Sequence, residues 1–156
     1  MDKPKSAAGY PRIKEAVILA QTDTTVGFLS QNAKKLAQIK ERTPKKPFLK
    51  NFFSLRELKK NIRIPKNLKK EIRRAKRTTY IVKDQAFRVA HFPASSALFE
   101  NAGWFYSSSA NRSGEQFDYN FAKGKADIIV INEVGLFESE PSSLIKCNES
   151  KKVRLR

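Results

Sequence analysis

Apolar positions come in short runs separated by basic or hydroxyl-rich stretches. Residues 16–21 (AVILAQ) form a continuous apolar run of strand length that enters the polar segment 22–27 (TDTTVG), which reads as a turn. Residues 32–42 (NAKKLAQIKER) place Ala33, Leu36 and Ala37 at helical spacing behind Asn32 as N-cap, and Thr43-Pro44 stops the helix. Pro47 introduces a strand over 48–53 (FLKNFF). Ser54 with Glu57 three residues on is a capping box, predicting a short helix over 54–62. Pro65 suits a first helical turn, so 66–76 (KNLKKEIRRAK) reads as a strongly basic helix. Residues 78–83 and 86–92 read as strands around a turn at Asp84-Gln85. A helix over 94–103 stops near Gly103, and the strand 104–108 (WFYSS) runs into the polar turn 109–115 (SANRSGE). Strands follow at 126–131 and 142–147, and 151–156 reads as an edge strand. There is no internal repeat. The mixture predicts an α/β (α+β) fold with both parallel and antiparallel neighbours.

Composition narrows the class. With 156 residues and 40% hydrophobic content, the chain has material for one core, expected over 13–156 after a flexible start at 1–12, and is no disordered polybasic tail. A single cysteine, Cys147, excludes a disulfide framework, and one histidine, His91, beside it excludes a typical zinc site. No apolar run approaches the roughly 20 residues needed to span a bilayer, and the first residues lack a signal-peptide apolar region. The expectation is a cytoplasmic, reducing setting with no membrane partner and no protein-held metal. The formal net charge is +17, and it is concentrated. Residues 34–77 hold 18 Lys/Arg against three acids, Glu41, Glu57 and Glu71, a surplus of fifteen. Such a block is either a solvated helical face or an attractor of polyanions; the lack of interspersed acids favours the second.

Neither a P-loop nor a G-x-G-x-x-G turn is present, so any nucleotide must be held by side chains and irregular turns. No Ser/His/Asp set is apparent; His91 reads as structural and Cys147 as a small core residue. Three polar islands remain. The hydroxyls of Thr22 and Thr24 at a strand end form either a plain turn or the lining of a ligand pocket. Lys40 and Arg42, at the end of a helix beside prolines, form either dipole-complementing cations or a rigid phosphate-binding pair. The turn 107–115 (SSSANRSGE) offers hydroxyls, an amide and backbone donors to an anion, or is a Ser-rich surface loop.

Taken in order, these islands resemble the YrdC/YciO family, whose best-known members are threonylcarbamoyl-AMP synthases. The matching elements are Thr22-Asp23-Thr24 with Gly27, then Lys40-Glu41-Arg42 with Pro44 and Lys46-Pro47. Ser108-Ser109-Ala110-Asn111-Arg112-Ser113-Gly114 and Pro141-Ser142-Ser143 complete the set. Gln21 and Val26 stand where the family has Pro and Tyr, and 75–79 (AKRTT) keeps only Thr79 of its Pro-Gly-Pro-x-Thr element. The resemblance implies a YrdC-like twisted mixed sheet with flanking helices around a basic concave cavity. It implies condensation of threonine, bicarbonate and ATP, the last carrying Mg²⁺, to threonylcarbamoyl-AMP and pyrophosphate, feeding a tRNA threonylcarbamoyl transfer machinery. On that pattern Lys40, Arg42, Ser109 and Asn111 are catalytic. Thr22 and Thr24 bind the amino acid, and Arg88, Ser142 and Arg156 bind the nucleotide. Double-stranded RNA or tRNA is the implied macromolecular partner, contacted by Lys59, Lys60, Lys69, Lys70, Arg73 and Arg74. The other expectation is a non-catalytic RNA-binding module on the same fold.

Overall fold

The computed structural model describes residues 12–42, 47–93, 96–148 and 150–156. The expectations for 1–12 (Arg12 apart), Thr43-Pro44 and 94–95 fall outside these residues. Strands β1 (Ile18–Gln21), β2 (Val26–Ser30), β3 (Leu49–Phe52), β4 (Thr78–Val82) and β5 (Gln85–Val89) join β6 (Trp104–Ser109), β7 (Ile128–Val130), β8 (Ser143–Cys147) and β9 (Lys152–Arg154) in one mixed sheet. Its order is β7-β1-β2-β6-β3-β5-β4-β8-β9. The pairs β1/β7, β3/β5 and β4/β8 are parallel and the others antiparallel. The helices are α1 (Ala33–Lys40), α2 (Leu55–Asn61), α3 (Lys69–Arg74), α4 (Ser96–Ala102) and α5 (Tyr119–Lys125).

Local chemistry explains most boundaries. The Asn32 side chain accepts from Lys35 N–H at the start of α1, and the Ser54 side chain accepts from Glu57 N–H at the start of α2. The Glu57 carboxylate pairs with Lys60. Helix α1 ends in a left-handed turn: Glu41 lies at φ 50°, its N–H bonds Gln38 O, and Arg42 N–H bonds Ala37 O. Helix α4 ends at Gly103, whose φ of 85° costs glycine little.

Three sequence expectations need correction. The single helix expected over 66–76 is a 3-10 turn, Lys66–Leu68, followed by the shorter α3. The β4–β5 turn sits one residue earlier than expected, with Lys83 and Asp84 both at positive φ, the geometry that matches strand twist in a two-residue hairpin. Residues 26–27, read as the end of a turn, begin β2. Helix α5 escapes the apolar pattern altogether: Asp118 caps it, Ala122 is its one fully buried residue, and Gly124 interrupts its propensity.

Alternation along the strands sorts the layers. On one face Ile18, Ala20, Leu29, Phe53 and Phe105 pack beneath Phe99 of α4. On the other, Val17, Leu19 and Phe28 meet Leu36 of α1 and Ala122 of α5. Further along that second face Phe52, Tyr80, Val82 and Phe87 meet Leu58 of α2 and Ile72 of α3, with Cys147 buried in the same cluster. Helix α4 covers only part of the first face, and among the described residues the rest of it is open.

Candidate functional site

The open part of the first face is a cleft of about 670 Å³. Its floor comes from residues of one parity: Gly27 of β2, Leu49 of β3, Thr79 and Ile81 of β4, Ala86 and Arg88 of β5, and Ser107 and Ser109 of β6. Their sequence neighbours Phe52, Tyr80, Val82, Phe87 and Val89 face the opposite cluster beneath α2 and α3. Thr22, Thr24, Arg42, Ser142 and Arg156 close the walls. Three arginines and one carboxylate, Asp84, are the ionic groups among the described lining residues, so the cleft is net basic.

The Thr22–Thr25 turn is held by its own hydroxyls. Thr22 Oγ1 donates to Thr25 O (2.6 Å) and accepts from Thr24 N–H (3.1 Å), with Thr24 Oγ1 3.3 Å away. Gln21, where the family pattern has proline, accepts from Phe137 N–H through its side-chain oxygen (2.9 Å). Ser139 N–H reaches Thr25 Oγ1 (3.1 Å), so the segment before β8 lies along this turn. A Cβ on Gly27 would sit 3.1 Å from Ser108 O and 3.1 Å from Thr22 Cγ2, so the absence of a side chain lets the turn close onto β6. Thr79 Oγ1 and Ser142 Oγ are 2.6 Å apart and buried, tying β4 to the entry of β8. Arg156 Nε donates to Ser142 O (2.9 Å), placing its guanidinium at the same wall.

The two cations that close α1 part company. Arg42 turns to the cleft: it stacks 4.6 Å over Phe48, donates through Nη2 to Pro47 O (3.2 Å), and keeps a buried Nε–H without a partner. Burial lowers its pKa from the ordinary value. Lys40 is 8% exposed and absent from the described lining. Its ammonium donates to Ser109 O (2.9 Å), to Asn111 O, and to Asn111 Oδ1 (3.3 Å). Burial, aided by repulsion from Arg42, pulls its pKa down to about 8. The Asn111 amide donates to Arg112 O (3.0 Å) and Glu115 O (2.6 Å), shaping the turn from within. Lys40 and Asn111 thus brace the turn behind Ser109, and Ser109 itself faces the cleft.

Arg88 lies in the floor with its side chain 4% exposed, 3.1 Å from the Asp23 carboxylate and within 3.4 Å of Asn51 Oδ1. Desolvation raises the Asp23 pKa against the pull of Arg88, and desolvation lowers that of Arg88 against the pull of Asp23. Asp23 and Asn51 were not singled out by sequence. The Thr-Asp-Thr spacing carried Asp23 in plain view, whereas Asn51 sat inside an apolar strand with no signal.

The six lysines and arginines expected to contact RNA lie on α2 and α3, on the opposite side of the sheet from the cleft. Among the described residues the surplus of cations therefore lies away from the cleft, whose described lining takes Arg42 alone from the basic block. His91 is exposed, 3.4 Å from Glu100. Among the described residues no group of three or more His, Cys, Asp or Glu gathers, and no helix is long and apolar enough to cross a membrane.

A mixed sheet backed by helices on one face and opened into a basic cleft on the other defines the class. The sequence profile of the Sua5/YciO/YrdC family, described as telomere recombination, matches residues 13–156. The chain belongs to that family. Among solved structures it resembles P. abyssi Sua5 complexed with L-threonine, at TM-score 0.71 and 19% identity over 90% of this chain and 50% of that one. It resembles E. coli YciO at TM-score 0.71 and 19% identity, over 92% of this chain and 83% of that one. T. kodakarensis HypF aligns at TM-score 0.73 and 16% identity, over 92% of this chain and 22% of that one. At such identities the likeness establishes the fold. The chain spans about half the length of the Sua5 structures it matches. No curated protein sequence matches it.

Proposed function

We propose that this chain is a threonylcarbamoyl-AMP synthase domain, joining threonine, bicarbonate and ATP. The observation that carries the reading is the convergence of four distant stretches on one cleft: Thr22 and Thr24, Arg42, Ser107 to Ser109, and Ser142 with Arg156. Its volume falls within the roughly 300–1,000 Å³ typical of small-molecule sites.

In this reading the threonine amine takes up the carbon of bicarbonate, with loss of water, as a carbamate. A carbamate oxygen then attacks the α-phosphorus of ATP. The new O–P bond replaces the bond to the β-phosphate oxygen, and pyrophosphate leaves. The step needs positioning and charge stabilisation more than a strong base, which suits a cleft lined by hydroxyls and guanidinium groups. Arg42, with a free N–H and a planar fork, takes the phosphates and the charge developing on the leaving group. Ser109 orients the carbamate or phosphate oxygens. Lys40 and Asn111 act behind it by holding its turn. The hydroxyls of Thr22 and Thr24 meet the amino acid, and Arg88, Ser142 and Arg156 border the nucleotide. Mg²⁺ arrives on ATP as part of the substrate.

The test is ATP-dependent pyrophosphate release with threonine and bicarbonate, run on the wild type and on Arg42→Ala. The wild type is expected to turn over and the variant to lose at least about a hundredfold, with an unchanged far-UV circular dichroism spectrum. Equal turnover in both would reject the assignment. Calorimetry showing no heat from ATP and threonine in the wild type would leave the non-catalytic RNA-binding reading in its place.

A further inference from the structure

We propose that Arg77 is a positioning residue: it clamps the Thr22–Thr25 turn to the segment entering β8 and so sets the separation of the two substrates in the cleft. The role in catalysis rests on the synthase reading; the clamp itself rests on geometry alone.

Arg77 is exposed and absent from the described lining of the cleft, so it acts through other residues. Its guanidinium reaches two segments far apart in sequence. Nη2 donates to Glu140 O (2.8 Å) and to Ser139 Oγ (3.5 Å), and Nη1 donates to Asp23 O (3.5 Å). The Arg77 carbonyl accepts from Ser143 N–H (2.9 Å) at the start of β8. Its backbone is left-handed, with φ 51°, a conformation that a residue with a side chain keeps only where its surroundings fix it.

The place of the clamp follows from the sheet order. Asp23 lies between β1 and β2, yet its carboxylate meets Arg88 of β5, three strands away from β2. The turn therefore reaches across the floor of the cleft, and Arg77, just before β4, meets its far end. The charge of Arg77 also acts on the pair below. Burial raises the Asp23 pKa, and Arg88 and Arg77 both oppose that rise.

Thr22, Thr24 and Thr25 line one side of the cleft, and Pro141 and Ser142 line another. In the synthase reading the first side holds the amino acid and the second borders the nucleotide. A carbamate oxygen must come within about 3–3.5 Å of the α-phosphorus, and a misplacement of about 1 Å can cost a hundredfold in rate. Among the described residues Arg77 is the one side chain bonded both to Asp23 and to the 139–140 stretch. A planar fork with several donors can hold both at once, whereas a single ammonium on a flexible stem is a poor substitute. Arg77 stands within 75–79, where this chain departs from the family pattern, and a proline side chain in its place would have no donor.

The experiment compares wild type, Arg77→Ala, Arg77→Lys and the neighbouring control Lys76→Ala by steady-state pyrophosphate release, calorimetry and amide hydrogen exchange. Arg77→Ala is expected to lose at least about tenfold in kcat, while its separate affinities for ATP and for threonine stay within about threefold. Its urea midpoint should stay near that of wild type, because the side chain is exposed. Arg77→Lys should recover little of the loss, and Lys76→Ala should match wild type. Exchange in Arg77→Ala should rise together at Thr24 and Val26 and at Phe137, Ser139 and Ser143, whose amides hold the two segments. Arg77→Gln takes its place if the Ala variant fails to fold. With an active wild type, a kcat within twofold in Arg77→Ala would overturn the proposal. So would full recovery in Arg77→Lys, an equal loss in Lys76→Ala, or a loss that follows the unfolding midpoint. A wild type without turnover would reject the synthase reading and the catalytic role with it. The clamp would then be judged by exchange: a rise in both segments would uphold it, and a rise in one or neither would overturn it.

Discussion

The Arg88–Asp23 pair offers the sharpest test of how the cleft floor is held. Its side chains are 4% and 14% exposed and lie 3.1 Å apart. Replacing Arg88 with Met retains much of its volume but leaves the Asp23 carboxylate in the floor without its main counter-charge. Breaking a buried pair from one side costs about 3–5 kcal/mol. Asp23→Asn should cost a similar amount, because the Arg88 guanidinium would keep only Asn51 Oδ1 at 3.4 Å. The double variant removes both charges and should recover to within about 1–2 kcal/mol of wild type. With a urea dependence of about 1–3 kcal/mol per molar for a small domain, each single variant should unfold roughly 2 M earlier.

The pH dependence separates charge from packing. Burial raises the Asp23 carboxyl and Arg88 restrains it; losing Arg88 lets it rise further. A carboxyl with a raised folded pKa destabilises the fold at pH values above that pKa. As pH falls through it toward the ordinary 3.8, the folded chain takes up a proton that the unfolded chain has not, and the deficit fades. The Arg88→Met deficit should therefore be full near pH 7 and much smaller near pH 4. Urea denaturation at both pH values, on all four proteins of the cycle, measures it. Near-neutral single variants, additive losses in the double variant, or a deficit independent of pH would refute the reasoning.

Three further outcomes are expected. The Lys40 ammonium should titrate near 8 by nitrogen NMR, against 10.5 for an ordinary lysine; between those values the unfolded chain holds the proton that the folded chain has released, so this group makes stability rise with pH across the window, a rise that Lys40→Met should abolish. Gly27→Ala should cost about 1–3 kcal/mol in thermal or urea unfolding, because the new Cβ meets Ser108 O and Thr22 Cγ2 at 3.1 Å; a neutral result would mean that β2 and the turn shift apart freely. Ser54→Ala should cost about 1 kcal/mol through the lost cap on α2, with no effect on ATP affinity, since α2 is on the far side of the sheet.

The strand and helix periods, the caps at Asn32 and Ser54, the stop at Gly103 and the basic block at 34–77 were legible because each depends on a few neighbouring residues. Family membership was legible for the same reason, through short motifs in a set order, and the profile match over 13–156 bears it out. Helix α5 was not, because Asp118 and the packing of Ala122 hold it against weak propensity. The start of β2 was not, because Val26 and Gly27 sit beside a hydroxyl-rich turn and gain their strand only by pairing with Gln21, Ala20 and Ser109.

Side-chain direction belonged to the tertiary structure. In sequence Lys40 and Arg42 look like one cationic pair, yet the left-handed turn at Glu41 sends one into loop oxygens and the other to the cleft. The charge of the basic block was set by its residues alone. Which face of the sheet it occupies was set by strand order and alternation, since a one-residue change of register exchanges the two faces. Local sequence can specify a residue's charge and backbone period; only contacts between distant strands decide what that residue faces.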